Sequence, residues 1–172
     1  LSVNNAAKRA RAFLLSFSQT EASAQGMEQY IKSKASAADS SLSRWYGTRN
    51  YQPIWTGERL MGLAQFLQEL DKHGLSPHLF NFNEWDARWR ELSLDPSERA
   101  ATDVGTTQLA LYAIQALAYG FTEPTDMHPK WKPINRKVSA FACLDEALKY
   151  DPSQFSAVLL DKAPPEDARY DD

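Results

Sequence analysis

Little in this chain suits a redox framework or a phosphate cradle. Its 172 residues include one cysteine and seven glycines. The single thiol, Cys143, excludes an internal disulfide and is compatible with a reducing or an oxidising compartment. The glycines never cluster as G-x-G-x-x-G or G-x-x-x-x-G-K, so the sequence holds no phosphate-binding loop. Charge of one sign is also lacking, since 19 basic residues stand against 22 acidic ones. A net charge of -3 leaves no electrostatic footprint for nucleic acid. Long apolar runs are missing: the longest, Leu109 to Ala118, is interrupted by Tyr112 and Gln115. It falls short of the ~20 residues that span a bilayer. No alternating apolar-polar run is long enough for a strand, and no repeat is visible. The chain opens on Leu1 and not on methionine, so it reads as a processed or trimmed product. Lack of a signal peptide therefore says nothing about export.

What is present points to a packed helical protein. A hydrophobic share of 43% with 12% aromatics is enough for a core and excludes disorder. At this length the expectation is a single helical domain over residues 1–172, cut short at its C-terminal end. The fold expected is all-α, an irregular multi-helix bundle around a central buried helix at about 96–119.

Ala6, Ala10, Phe13, Leu14 and Phe17 share one face at helical spacing. Thr20 is placed to cap a second helix. Its stripe continues through Ala24, Met27, Ile31, Ala35, Ala38, Leu42 and Trp45, which favours one long helix through the serine-rich stretch. The alternative for Ser33 to Ser43 is a flexible linker. Thr56 caps the next helix, with Leu60, Leu63, Leu67 and Leu70 as its stripe and Gly74 suited to a left-handed end. Asn83 is expected to cap a short helix carrying Trp85, Trp89 and Leu92. Asp95-Pro96 then starts the longest helix, apolar on most sides from Val104 and stopped by Gly120. Phe121 to Val138, with three prolines around Trp131, reads as an ordered loop. Short helices are expected at Ser139 to Tyr150, Pro152 to Leu160 and from Pro165 onward.

The run Tyr46-Gly47-Thr48-Arg49-Asn50-Tyr51-Gln52-Pro53-Ile54-Trp55 is the densest feature of the chain. Pro53 breaks helix, and three large aromatics each need burial and a partner for the polar tip. It reads as a buried corner between helices. Together with His73-Gly74-Leu75-Ser76-Pro77, then Asp103-Val104, Thr107, Gly120, Pro124 and Trp131, this order resembles the N-terminal scaffold domain of large periplasmic L,D-transpeptidases. Leu159 to Pro165 and Tyr170 add to the likeness, which covers roughly Leu42 to Asp172. The residues that carry it are Tyr46, Arg49, Tyr51, Pro53, Trp55, Gly74, Leu75, Pro77, Asp103, Gly120 and Trp131. Two positions depart from the pattern. Gln108 stands where the family commonly has an acidic residue, and Tyr112 lies one place before the family's tyrosine.

The resemblance implies a structural part of a peptidoglycan-remodelling protein in the periplasm of a Gram-negative bacterium. In that family the chemistry, 3-3 cross-linking of stem peptides, belongs to a separate domain with a cysteine in a Ser-His-Gly-Cys-like motif. Cys143 has neither His nor Gly beside it and reads as a small hydrophobe. This chain is thus expected to be no enzyme itself, with no catalytic, cofactor or metal residues. Its implied partners are the catalytic domain of the same parent protein and peptidoglycan or cell-wall proteins. A free-standing cell-wall binding or adaptor module is the second reading, and a carboxylate-dependent wall hydrolase the third.

Other constellations have plainer accounts. His73, His78 and His128 with Asp71 and Asp126 lack the paired short spacings of a zinc site. Trp85, Trp89 and Trp131 could form a sugar-stacking face or, more simply, cover the long helix. Glu84, Asp86, Glu91 and Glu98 lie among Arg88, Arg90 and Arg99 and read as solvated helix partners. Asp103 precedes an apolar stretch and must be paired or hydrogen-bonded. Arg49 either pairs with it or holds backbone carbonyls at the corner.

Overall fold

A computed structural model describes residues 24–34, 40–91, 95–120 and 138–164. These residues form seven α-helices: α1 (Ala24–Lys34), α2 (Ser40–Gly47), α3 (Gly57–Glu69), α4 (Phe82–Arg90), α5 (Pro96–Tyr119), α6 (Ala140–Ala147) and α7 (Phe155–Lys162). Short 3-10 turns occupy Leu70–His73, Pro77–Phe80 and Pro152–Gln154. Among the described residues there is no strand, and the fold is all-α. No helix among them is long and apolar enough to cross a membrane.

The chain divides into two compact units, Leu1–Leu60 with Asn83–Thr107, and Met61–Phe82 with Gln108–Asp172. In the first unit α1 packs on α2, burying Met27 and Ile31 with Leu42, Trp45 and Tyr46. This is the stripe expected from spacing. Residues 35–39 lie outside the described set, so the single unbroken helix expected there is described only in its two ends. Residues 48–56 form the corner, followed by the first turn of α3. Thr56 accepts the Arg59 amide on its hydroxyl at 3.4 Å and the Leu60 amide on its carbonyl at 2.9 Å, so it caps α3 as expected.

The second unit has the leucine stripe of α3 at its centre. Leu63, Phe66, Leu67 and Leu70 are fully buried, with Ile114, Leu144, Phe155 and Leu159 buried in the same unit. Gly62 permits a close approach. A side-chain carbon there would stand 2.9 Å from the Pro152 carbonyl oxygen and 3.0 Å from Phe155 Cβ. Within this unit α6 packs on α7. Ser139 caps α6 by accepting the Ala142 amide at 3.3 Å.

Helix α5 starts and stops as its sequence dictates. Pro96 occupies the first helical position, where its missing N–H costs nothing. Asp95 accepts the Ser97 amide at 2.7 Å and the Glu98 amide at 3.4 Å. Gly120, at φ +77°, and Gly74, at φ +75°, each follow a helical end in the left-handed region that other residues enter only at a cost. The start of α4 differs from expectation. Asn83 lies inside the first turn, because Asn81 adopts φ +50° and turns the chain one residue before the helix opens at Phe82. Leu92 lies outside the described residues.

Burial along α5 also differs from the expectation of an all-round apolar helix. Val104, Ala110, Ala113, Ile114, Ala116 and Ala118 are buried, whereas Gly105, Gln108, Tyr112, Gln115 and Tyr119 form an exposed stripe at alternating spacings of three and four. Leu109, Leu111 and Leu117 are only half-buried. The amides of Gln108 and Gln115 and the polar tips of two tyrosines explain the solvated side. Ile114, fully buried, is therefore the sensitive position. Ile114→Asp should abolish cooperative unfolding by circular dichroism, since it buries a charge without a partner. Gln115→Asp, one residue along on the exposed stripe, should shift stability by less than about 1 kcal/mol.

Candidate functional site

The polar centre of the first unit is built from the corner and the first half of α5. The corner backbone has no regular secondary structure to satisfy it, so its amides need side-chain acceptors. Asp103, 2% exposed, supplies them. Its Oδ2 accepts the amides of Ile54 and Trp55, each at 3.1 Å. Its Oδ1 accepts the Tyr46 hydroxyl at 2.8 Å. The Tyr46 hydroxyl also lies 2.6 Å from Thr107 Oγ1, and either atom can donate. Thr107 Oγ1 in turn accepts the Trp55 indole N–H at 2.9 Å. Tyr46 and Trp55 are 0% and 2% exposed, so the corner is a core element and not a surface loop.

The turn that leads into the corner is tight. The Tyr51 amide donates back to the Tyr46 carbonyl at 3.0 Å, and Asn50 and Tyr51 both take positive φ, +53° and +55°. For a tyrosine this costs on the order of 1 kcal/mol, set against the burial of the aromatics on either side. Pro53 has no N–H to satisfy, and the Gln52 amide before it donates to the Arg49 carbonyl at 3.1 Å. Tyr51 is half-buried, with the Lys32 ammonium 5.9 Å from its ring centre.

Of the two expectations for Arg49, the pairing with Asp103 does not form. Arg49 Nη1 donates to the Trp45 carbonyl at 3.0 Å, and its guanidinium lies 4.0 Å from the centre of the Trp45 indole. It holds a backbone carbonyl at the end of α2, where a cation also suits the helix dipole. The arginine nearest in effect to Asp103 is Arg59. It donates to the Ile54 carbonyl at 3.0 Å and draws the carboxyl downward.

Burial dominates the electrostatics. It pushes the Asp103 carboxyl up to about 6, against the opposing pull of the Trp55 amide, the Tyr46 hydroxyl, the Ile54 amide and the Arg59 charge. Burial, and then the Asp103 charge, push the Tyr46 phenol well above its ordinary range. Tyr46 is thus a neutral donor at any physiological pH.

Thr106, beside Thr107, does parallel work. Its hydroxyl accepts the indole N–H of Trp89 at 2.9 Å and of Trp85 at 3.1 Å, and donates to the Thr102 carbonyl at 2.7 Å. The tryptophans of α4 therefore hang on α5: Trp89 is buried and Trp85 half-buried. For these two residues the core reading holds. Trp131 lies outside the described residues. Neither threonine's acceptor role is legible in sequence, because a threonine on an apolar helix face looks like any other. The one signal was the need of several nearby indoles for acceptors.

The other sequence candidates are dispersed. Gly74 is exposed, Leu75 is buried and Pro77 is half-buried around the turn that ends α3. His73 and His78 are exposed, and no group of three metal-ligating side chains occurs among the described residues. His128 and Asp126 lie outside them. Cys143 Sγ lies 3.6 Å from the Lys162 carbonyl, and burial pushes its thiol up. Glu84 and Asp86 face Arg88 at 4.0 Å and Arg90 at 2.7 Å as exposed helix pairs. Every fully buried side-chain N or O atom among the described residues has a hydrogen-bond partner.

A family model described as Scaffold domain matches residues 40–172. The chain belongs to this family, the scaffold domain of L,D-transpeptidases. No curated protein and no solved structure matches it. The two departures from the family pattern, Gln108 and Tyr112, both fall on the exposed stripe of α5 and leave the buried corner untouched.

Removing the centre of this arrangement should be costly. Trp55→Ala should destabilise by about 3–5 kcal/mol, the range for deleting a large core aromatic. Thr107→Val, which keeps the volume but deprives the Trp55 indole and the Tyr46 hydroxyl, should cost about 1–3 kcal/mol. Urea midpoints of the three proteins check both values. An unchanged midpoint for Trp55→Ala would place that indole on a ligand surface.

Proposed function

We propose that this chain is the non-catalytic helical scaffold of a periplasmic, peptidoglycan-remodelling L,D-transpeptidase. Its task is to hold the catalytic domain of the same parent protein and to offer surface to cell-wall partners. The cross-linking of stem peptides belongs to that other domain. The observation that carries the reading is where the buried polar groups point. Asp103, Tyr46, Thr107 and Trp55 are engaged with one another and with the corner backbone. Such a network orders a fold and leaves no lone pair aimed at a substrate. Cys143 fits the same view, since a thiol raised by burial is a poor nucleophile at neutral pH.

The isolated chain, incubated with purified muropeptides, should leave their chromatographic profile unchanged, and Cys143→Ala should alter nothing. In the parent protein, Trp55→Ala should lower the yield of 3-3 cross-linked product while the catalytic cysteine keeps its reactivity toward a small thiol reagent. New cross-linked or hydrolysed products from the isolated chain would refute the scaffold reading. Retention of the chain on purified peptidoglycan, with no catalytic domain in the parent reading frame, would favour the free-standing adaptor.

A further inference from the structure

The corner contains a buried carboxylate that no ion pair neutralises. Asp103 is held by N–H and O–H donors alone, and the hydroxyl hydrogens of Tyr46 and Thr107 in this chain can turn either way. We propose that this chain is a proton-linked latch: uptake of one proton by Asp103 reverses it without breaking it and removes the buried charge, so that acid stabilises the corner.

The hydrogen count supports both directions. With Asp103 ionised, Oδ2 takes the amides of Ile54 and Trp55 and Oδ1 takes the Tyr46 O–H. Tyr46 Oη then accepts the Thr107 O–H across 2.6 Å, and Thr107 Oγ1 accepts the Trp55 indole. Every hydrogen is used. When a proton from solvent bonds to Oδ1, that oxygen becomes the donor to Tyr46 Oη. Tyr46 turns its own hydrogen to Thr107 Oγ1. Thr107 turns its hydrogen to the Asp103 main-chain carbonyl, 3.3 Å away. The two corner amides and the Trp55 indole keep their acceptors throughout. No heavy atom has to move, and each hydrogen again has a partner.

The charged and titratable groups acting on the carboxyl come from each neighbouring element. Tyr46 faces it from α2 and Arg59 acts on it from α3, while Arg49 acts on Tyr46. Tyr46 is pushed well above its ordinary range, so Asp103 is the group of this chain that titrates.

The sign follows from the carboxyl lying at about 6 in the fold against an ordinary value of 3.8. Below the ordinary value both folded and unfolded chains hold the proton, and the stabilisation is fully present. As pH rises between the two values the unfolded chain releases it first. Stability is therefore lost until about 6 and is level above it. Glu69 and Asp151, held below the usual carboxylate range by hydrogen bonds, act in the opposite sense, so a bare pH profile mixes the two.

Comparison with Asp103→Asn isolates the latch, because the amide oxygen accepts the two corner amides and one hydrogen of its NH2 donates to Tyr46, while the cost of the second hydrogen is the same at every pH and cancels in the comparison. Between about pH 4 and about pH 7 the wild-type folding constant should fall relative to that of Asp103→Asn, on the order of fiftyfold. An equal ratio at both pH values would overturn the proposal. Should the variant not fold, the wild-type chain provides the second measurement. The Trp55 indole proton, joined to the Asp103 carboxyl by three hydrogen bonds through Thr107 and Tyr46, should shift with a midpoint near pH 6 by NMR, with that of Trp89, bonded to Thr106, as internal reference. A Trp55 resonance that is flat with pH, or that merely moves in step with Trp89, would also overturn it.

Discussion

Two amides in a bend decide much of this architecture. Ile54 and Trp55 follow a proline, outside any helix, and both are buried. An unpaired buried N–H costs about 1–3 kcal/mol, so a pair of them needs an acceptor placed by some other element. Asp103 fills that need from α5, a long helix capped at its start by Asp95. The carboxylate then becomes a burden of its own. It is buried without a cation in contact, and it is kept tolerable by accepting three hydrogen bonds. Corner and helix thus satisfy each other, and neither set of groups is stable where it lies without the other.

The threonines extend the same logic. Thr102 and Thr106 each donate to a carbonyl four residues earlier, at 2.8 and 2.7 Å, and Thr107 has the same option at 3.3 Å beside its 2.6 Å bond with Tyr46. This use of the hydroxyl hydrogen leaves the oxygen as an acceptor. Thr106 and Thr107 spend that capacity on indoles from α4 and from the corner. A tryptophan brings more buried area than any other side chain but carries a donor that must end somewhere. Adjacent threonines on one helix let this unit bury that bulk without orphaned N–H groups.

The sequence made the helices plain wherever punctuation was chemical. Asp95-Pro96, Thr56, Gly74 and Gly120 each mark an end that the structure keeps. The corner was also legible, because three aromatics and a proline in ten residues admit few other readings. Partner choice was not. Arg49 and Asp103 are the two charges that the family pattern brings forward, and pairing them is the simple guess. Yet Arg49 stacks on Trp45, and the carboxylate turns to amides and hydroxyls. Sequence spacing fixes which residues share a face, but which donor meets which acceptor depends on how elements cross. The exposed stripe of α5 is hidden in the sequence for a related reason: two tyrosines and two glutamines look like bulk or isolated polar breaks, and only their common spacing makes them one solvated side.

The family match over residues 40–172 places this arrangement in a scaffold domain. The central claim is that Asp103 locks the corner amides as firmly as a helix locks its own. Native-state hydrogen exchange of Ile54 and Trp55 measures this residue by residue. If the carboxylate holds them, both amides should exchange only through global unfolding, at the same free energy as the core amides of α5. Exchange at the rate of an open loop, with α5 still protected, would contradict the account.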